Sequence, residues 1–446
     1  MPAPDNDVVI LTSPAGGFED EVAGNPRSAS ATAVVIFISS LMIAIVVGEA
    51  ASPVQQQEDP MPTVPAEAES HAGTNPLPGI IEQDQARSAE AAGSAGAGVV
   101  LVAGAGGVIG RHAADEYARR GWKVRGASRR PVSGADWEHL SVDLLDPGTA
   151  RDGLSPAADT THLVFAAYIE RPTSAELSEV NTALLRNTLD GLHAAGAPLR
   201  HVTLYQGGKA YGAHLGYFNA PAKERDPRLI QPNFYYDQED LLRQVAAERG
   251  FTLTVLRPEG VIGYATGNPM NLLMAIAVYA SISKELGQPL RFPGTVAAYD
   301  ALYQVTDAEL LARAAVWSGS EPAASGEIFN ITNGDFFRWR QLWPAFAKHF
   351  GMEYAEPQPV PLADAMPQYA DLWEEMTERY GLQQIPYEDL VRWEFADFIF
   401  RSEFDNVSST IKARHAGFAD CLDSEDRFRE LFTRLAADKI IPGPAA

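Results

Sequence analysis

The chain has 446 residues, a single cysteine and a formal net charge of −23 at pH 7. One cysteine excludes an intrachain disulfide and a four-cysteine zinc site. The acidic surplus excludes general affinity for nucleic acid, yet leaves room for local arginines at a phosphate.

Residues 1–30 and 49–95 are rich in Pro, Gly, Ala, Ser and acidic residues, with no sustained hydrophobic period. They offer little apolar area to offset ordering entropy, which predicts a disordered leader over residues 1–95. Between them lies ATAVVIFISSLMIAIVVG, residues 31–48, without a charge. Its 18 residues stand near the lower limit for a membrane helix. Three readings stay open: an anchor for a cytoplasmic catalytic domain, a secretory signal, or an unused extension ahead of an alternative start at Met61.

The catalytic region is expected over residues 97–446. Val99 to Val102 form an all-apolar run, as a central parallel strand requires. Gly104, Gly107 and Gly110 follow in GxxGxxG spacing. The first permits a tight turn, the second lets backbone approach a pyrophosphate, and the third permits close helix–strand packing. The phosphates would sit at the start of the following helix, beside Val108 and Ile109. The next strand, KVRGAS, ends in Ser128, Arg129 and Arg130. An NAD-preferring unit usually carries an acidic residue there for the ribose hydroxyls. Guanidinium groups and a hydroxyl suit a 2′-phosphate instead, so NADPH is the expected cofactor. A solvated strand end is the alternative for Arg130, which precedes Pro131.

HLSVDL places Asp143 and Leu144 at an adenine edge. THLVFAAY brings Ala166, Ala167 and Tyr168 to the cofactor, small residues letting backbone pass close. LRHVTLYQ and FTLTVLRPEGVIG continue the sheet, the latter placing Val261 and Ile262 near a nicotinamide carboxamide. Strands alternating with helices predict a Rossmann-type, doubly wound parallel sheet. The cofactor part spans about 97–260, and a smaller, mostly helical substrate-binding part about 261–446. The histidines show no metal spacing, and no metal site is expected.

Two segments beyond the cofactor half carry candidate chemistry. YQGGKAYG holds Lys209 at a strand's carboxyl end, and PNFYYDQEDLLRQ holds Tyr235 and Tyr236 at a helix start. A tyrosine can hydrogen-bond a substrate carbonyl as hydride arrives, and an ammonium nearby would favour negative charge there. A surface lysine and packing tyrosines are the plain alternatives. Met270, Leu273, Met274 and Ala277 are pocket candidates with core packing as the alternative, while Trp339 and Trp343 read as packing.

From about Val99 to Pro442 the chain resembles the progesterone 5β-reductase and iridoid synthase-like enzymes, atypical extended short-chain dehydrogenases/reductases. The matching stretches are GAGGVIG, ASRRP, QGGKAYGAHLG, PNFYYDQEDLL, LRPEGVIGYATGNPMNL, YASISKELGQPLRFPG and FNITNGDFFRWRQLW. The resemblance implies NADPH-dependent reduction of the C=C bond of a hydrophobic enone or enal, with Tyr236 and Lys209 as catalytic residues. Four residues after Tyr236 stands Asp240, so the lysine of the usual YxxxK pattern is absent, as in that family. KAYGAHLG departs from the family's KHYxGP-like segment, which puts a steroid substrate in doubt. Carbonyl (1,2) reduction and a non-enzymatic NADP-binding sensor remain alternatives, and a homodimer is an open expectation.

Overall fold

Seven parallel strands form the centre of the unit that spans residues 81–446. The computed structural model describes residues 33–38, 41–46, 98–265 and 270–443. In chain order the strands are β1 (Val99–Ala103), β2 (Lys123–Ser128), β3 (Glu138–Ser141), β4 (His162–Phe165), β5 (His201–Tyr205), β6 (Thr252–Pro258) and β7 (Ile328–Ile331). Their spatial order is β7-β6-β5-β4-β1-β2-β3. Every pairing is parallel, with Leu101 opposite Leu163 and Arg125, for example. The order reverses beside β1, which opens a crevice at the carboxyl ends of β1 and β4.

Helices cover both faces, and successive side chains of β1 divide between the two cores. Val100 and Val102 face α1 (Val108–Arg119) and α6 (Ala308–Ser320), packing with Ala113, Ala114, Leu310 and Ala314. Leu101 and Ala103 face α3 (Ser174–Ala194) and α4 (Phe234–Arg249), packing with Leu185, Leu189, Leu242 and Val245. The short α2 (Pro147–Gly153) packs on α3 at the same face. A strand buried on both faces must be apolar throughout, and this one is.

Beyond β6 a third core gathers α5 (Leu272–Glu285), α7 (Trp339–Phe350), α8 (Ala370–Tyr380), α9 (Trp393–Phe400) and α10 (Ser424–Ala437). Trp339 and Trp343 lie in it, at 5.9 Å between rings. Leu273, Met274 and Ala277 also belong to this core rather than to a pocket. The chain returns to the sheet through α6 and β7 before completing the helical region.

Most of the expected leader lies outside the described residues. Within residues 31–48, Ala33–Ile38 and Leu41–Val46 pair as antiparallel strands instead of the helix an anchor requires. Val34, Val35, Ile36, Ile43 and Ile45 are β-branched, and such side chains fit a pleated strand better than a helix. Among the described residues no helix is long and apolar enough to cross a membrane.

Gly104 has φ +82°, and an added Cβ would lie 2.6 Å from the Ala167 nitrogen. At Gly110 an added Cβ would overlap the Gly104 carbonyl oxygen. This is the close helix–strand approach expected of the third glycine. Gly110→Ala should force α1 off β1 and cost roughly 1–3 kcal/mol of stability. Urea unfolding measures this, and an unchanged midpoint would show that the approach is not needed.

Candidate active site

The crevice widens into a cavity of about 1200 Å³. A single-ligand pocket typically spans roughly 300–1000 Å³, so this one has room for a cofactor and a second molecule. One side is built by the turn between β1 and α1: Gly107, Val108, Ile109 and Gly110 line it, with Phe165 to Tyr168 after β4 and Val261 after β6. α1 starts at Val108 with no side-chain cap and no acidic residue in its first turn. Its first backbone N–H groups are thus left for an anion.

Gly104, Ser128, Arg129, Arg130, Asp143, Leu144 and Ile262 do not line the cavity. Gly104 stands behind the turn, against Ala166 and Ala167. Ser128 donates to the Arg130 carbonyl at 2.8 Å and meets His139 at 2.9 Å, and Ser141 donates to the Arg129 carbonyl at 3.3 Å. These bonds fix the loop through its backbone and leave two exposed arginine side chains at the end of β2. Asp143, at the end of β3, accepts from the Leu145 nitrogen at 3.0 Å. The Leu144 carbonyl accepts from Asn187, and Ile262 is fully buried beside the cleft.

Lys209 also lines the cavity, its ammonium 5.9 Å from the centre of the Tyr168 ring. The helix that should present Tyr236 turns a different side chain to the cleft. Phe234, Tyr235 and Gln238 line the cavity and Tyr236 does not. The Tyr236 hydroxyl donates to the Ala210 carbonyl at 2.7 Å and accepts from the Leu229 nitrogen at 3.1 Å. Arg228 covers its ring at 4.9 Å. Adjacent helical residues project about 100° apart, so only one of the two tyrosines can face the cleft. Counted from Tyr235, the position of the usual lysine is Glu239.

Two buried amides that sequence reading passed over hold this arrangement. Asn233 caps α4, its Oδ1 accepting from the Tyr235 nitrogen at 3.1 Å. Its Nδ2 donates to the Lys209 carbonyl at 2.7 Å, so one side chain ties both candidate segments. Gln206 donates to the Tyr235 carbonyl at 2.8 Å and accepts from Arg257 Nε at 2.7 Å. Behind them the buried Glu239 meets Arg243 at 2.9 Å, Arg228 at 3.3 Å and Arg257 at 3.5 Å. Asn at a helix start was a readable cap signal; the long-range partners were not.

Burial, and next the Glu259 carboxyl, push the Tyr235 phenol well above its ordinary value against the pull of Arg257. It stays a neutral donor at neutral pH. Burial and the Glu170 carboxylate likewise push Tyr168 up. Met270, Phe395, Phe398, Ile399 and Phe404 line the cavity at and near α9, together with the charged Arg392, Glu394, Asp397 and Arg401. Phe398 and Leu215 are cleft residues left exposed, 45% and 53%.

The family described as PRISE-like Rossmann-fold domain matches residues 132–442. An (S)-8-oxocitronellyl enol synthase of Camptotheca acuminata is 33% identical over 77% of this chain and 93% of its own length. A 3-oxo-Delta(4,5)-steroid 5-beta-reductase of Arabidopsis thaliana is 33% identical with the same coverage of both chains. Among solved structures, a short-chain dehydrogenase/reductase from Agrobacterium tumefaciens with bound NAD superposes with TM-score 0.53 at 16% identity, covering 77% of this chain and 99% of its own. The UDP-glucose 4-epimerase of Thermotoga maritima gives TM-score 0.55 at 16% identity, over 76% and 99%. The chain belongs to the PRISE-like Rossmann-fold family and is an enzyme.

Proposed function

We propose that this enzyme is an NADPH-dependent reductase of the C=C bond of α,β-unsaturated carbonyl compounds. The observation that carries this reading is one cleft lined by the uncapped start of α1, by Tyr235 and Lys209, and by the apolar side chains Met270, Phe395, Phe398, Ile399 and Phe404. The names of the two plant relatives, an enol synthase and a 3-oxo-steroid reductase, support the same reaction class.

The residues present fit a dinucleotide phosphate. The uncapped start of α1 and Gly107 would hold the pyrophosphate, and Ala166, Ala167 and Val261 would border the nicotinamide. The exposed Arg129 and Arg130 would hold the 2′-phosphate, while Ser128, its hydroxyl given to the Arg130 carbonyl, shapes their loop. The cofactor would supply hydride to the β carbon of the enone. Tyr235, a neutral phenol, would donate a hydrogen bond to the carbonyl oxygen, and the donation strengthens as that oxygen becomes an enolate. Lys209 adds positive charge in the same cleft. We assign the oxyanion role to Tyr235, in place of Tyr236, because the Tyr236 hydroxyl is spent on backbone partners.

Tyr235→Phe should lower kcat on a cyclic enone by roughly 10²–10³-fold. Tyr236→Phe should keep kcat within a few-fold of wild type. NADPH consumption with identification of the saturated ketone measures both; an allylic alcohol as sole product would overturn C=C reduction.

Asn233→Asp keeps the cap acceptor for Tyr235 but loses the donor to Lys209. It should hold its melting temperature better than Asn233→Ala, whose lost cap costs about 1 kcal/mol. Both variants should lower kcat, because both lose the tie to Lys209. Equal kcat in Asn233→Ala and wild type would show that the tie is not used.

Arg129→Ala with Arg130→Ala should raise KM for NADPH by tenfold or more and leave KM for NADH nearly unchanged, since the lost bonds go to the phosphate alone. Parallel changes for both cofactors would remove the 2′-phosphate assignment.

A further inference from the structure

The cleft holds a carboxyl that the roles of Tyr235 and Lys209 leave unused. Glu259 follows β6, is 5% exposed and lines the cavity. Its Oε1 accepts from Ser408 Oγ at 2.6 Å, and its backbone N–H donates to Thr306 Oγ1 at 3.0 Å. Oε2 faces the turn that carries Lys209: a methyl group at Gly208 would lie 2.6 Å from it. Tyr235 of α4 comes to the same turn, its hydroxyl 3.3 Å from where a Gly207 methyl group would stand. Tyr303, Asn406 and Ser408 close the other side.

No charged side chain is among the groups acting on Glu259. Burial raises its carboxyl to about 7, against hydrogen bonds from Ser408 and Asn406 that pull it down. A carboxyl poised there holds a proton that it can give at neutral pH. The carboxyl in turn helps to raise both Tyr235 and Tyr303.

An enone pinned at its oxygen by Tyr235, with its β carbon toward Val261 and Ala166, must place its α carbon between those points. Glu259, between Pro258 and Val261 in the chain, lines the same cavity as Tyr235, Ala166 and Val261 and meets the same glycine turn as Tyr235. We propose, on the reductase reading above, that Glu259 is the acid that protonates the α carbon. Hydride addition at the β carbon oxidises the nicotinamide and moves the C=C electron pair onto the carbonyl oxygen, where Tyr235 donates to it. The enolate then takes the Glu259 proton: the α C–H bond forms, the carboxyl O–H bond breaks and the C=O bond is restored. The carboxylate regains its proton from water.

The test reduces a 2-substituted cyclic enone with NADPH in D₂O, using wild type and Glu259→Gln. Glutamine keeps the acceptor for Ser408 and loses the acid. Wild type should place deuterium on one face of the α carbon. The variant should form product with kcat roughly 10²-fold lower and the label spread over both faces. A label kept on one face by the variant would overturn the assignment. A wild type that yields no saturated ketone would instead overturn the reductase reading, and the proton role with it. Infrared spectroscopy of the ligand-free wild type gives a second readout: a protonated-carboxyl band at pH 6, lost above pH 8 and absent from Glu259→Gln. Its absence from wild type at pH 6 would also overturn the assignment.

Discussion

The site depends on one join, between the end of β5 and the start of α4. These segments are separated by residues 206–233, yet two amide side chains fasten them. Asn233 reaches the Lys209 carbonyl while capping the helix that carries Tyr235. Gln206 reaches the Tyr235 carbonyl from the other strand end. Each bond spends a buried donor on a specific acceptor, so a sliding helix would leave polar groups unpaired. That penalty, about 1–3 kcal/mol per orphaned group, sets the register of α4 against the sheet.

The join also explains how the site is held without a lysine in the helix. At the place where YxxxK puts a cation, counted from Tyr235, stands the buried Glu239. Three arginines surround it, and Arg257 links it back to Gln206. Arg257 also stacks on Tyr211, 5.0 Å from its ring centre, and Tyr211 donates to Asn330 on β7 at 2.6 Å. The helix is thereby braced across three strand ends. A buried ion cluster of this kind adds little net stability, yet is costly to break in part, which suits a brace better than a glue.

The sheet was legible in the sequence because burial on both faces leaves one solution: short apolar runs, each ending in glycine or another turn residue. Val99 to Gly110 carries both signals within a dozen residues. The cleft wall was legible for the same reason, through the small residues Ala166 and Ala167. The choice between Tyr235 and Tyr236 was not legible. It turns on helix phase, and FYYD offers two hydroxyls one residue apart with nothing local to rank them. Partners at Ala210 and Leu229 decide it, and neither is near in the sequence. The apolar run at residues 31–48 misled in a different way. Length and lack of charge suggested a helix, while its β-branched content matched the pairing that Ala33–Ile38 and Leu41–Val46 adopt.

Charge is partitioned by burial rather than by composition. The chain carries 58 acidic against 35 basic side chains, yet the proposed reaction needs positive or neutral donors wherever negative charge gathers. Exposed arginines stand at the end of β2, an uncapped helix start faces the crevice, and Lys209 stands on the cleft wall. Four acids line the cleft, and Glu394 among them is exposed. Glu170 accepts from the Tyr168 hydroxyl, and Asp397 accepts from the Leu362 and Ala363 nitrogens at 2.9 and 3.0 Å, which ties α9 to that segment. Glu259 is buried with no cation, so it is held near neutrality instead of repelling an enolate. Removing water thus turns a carboxyl that would oppose the reaction on the surface into one that can serve it.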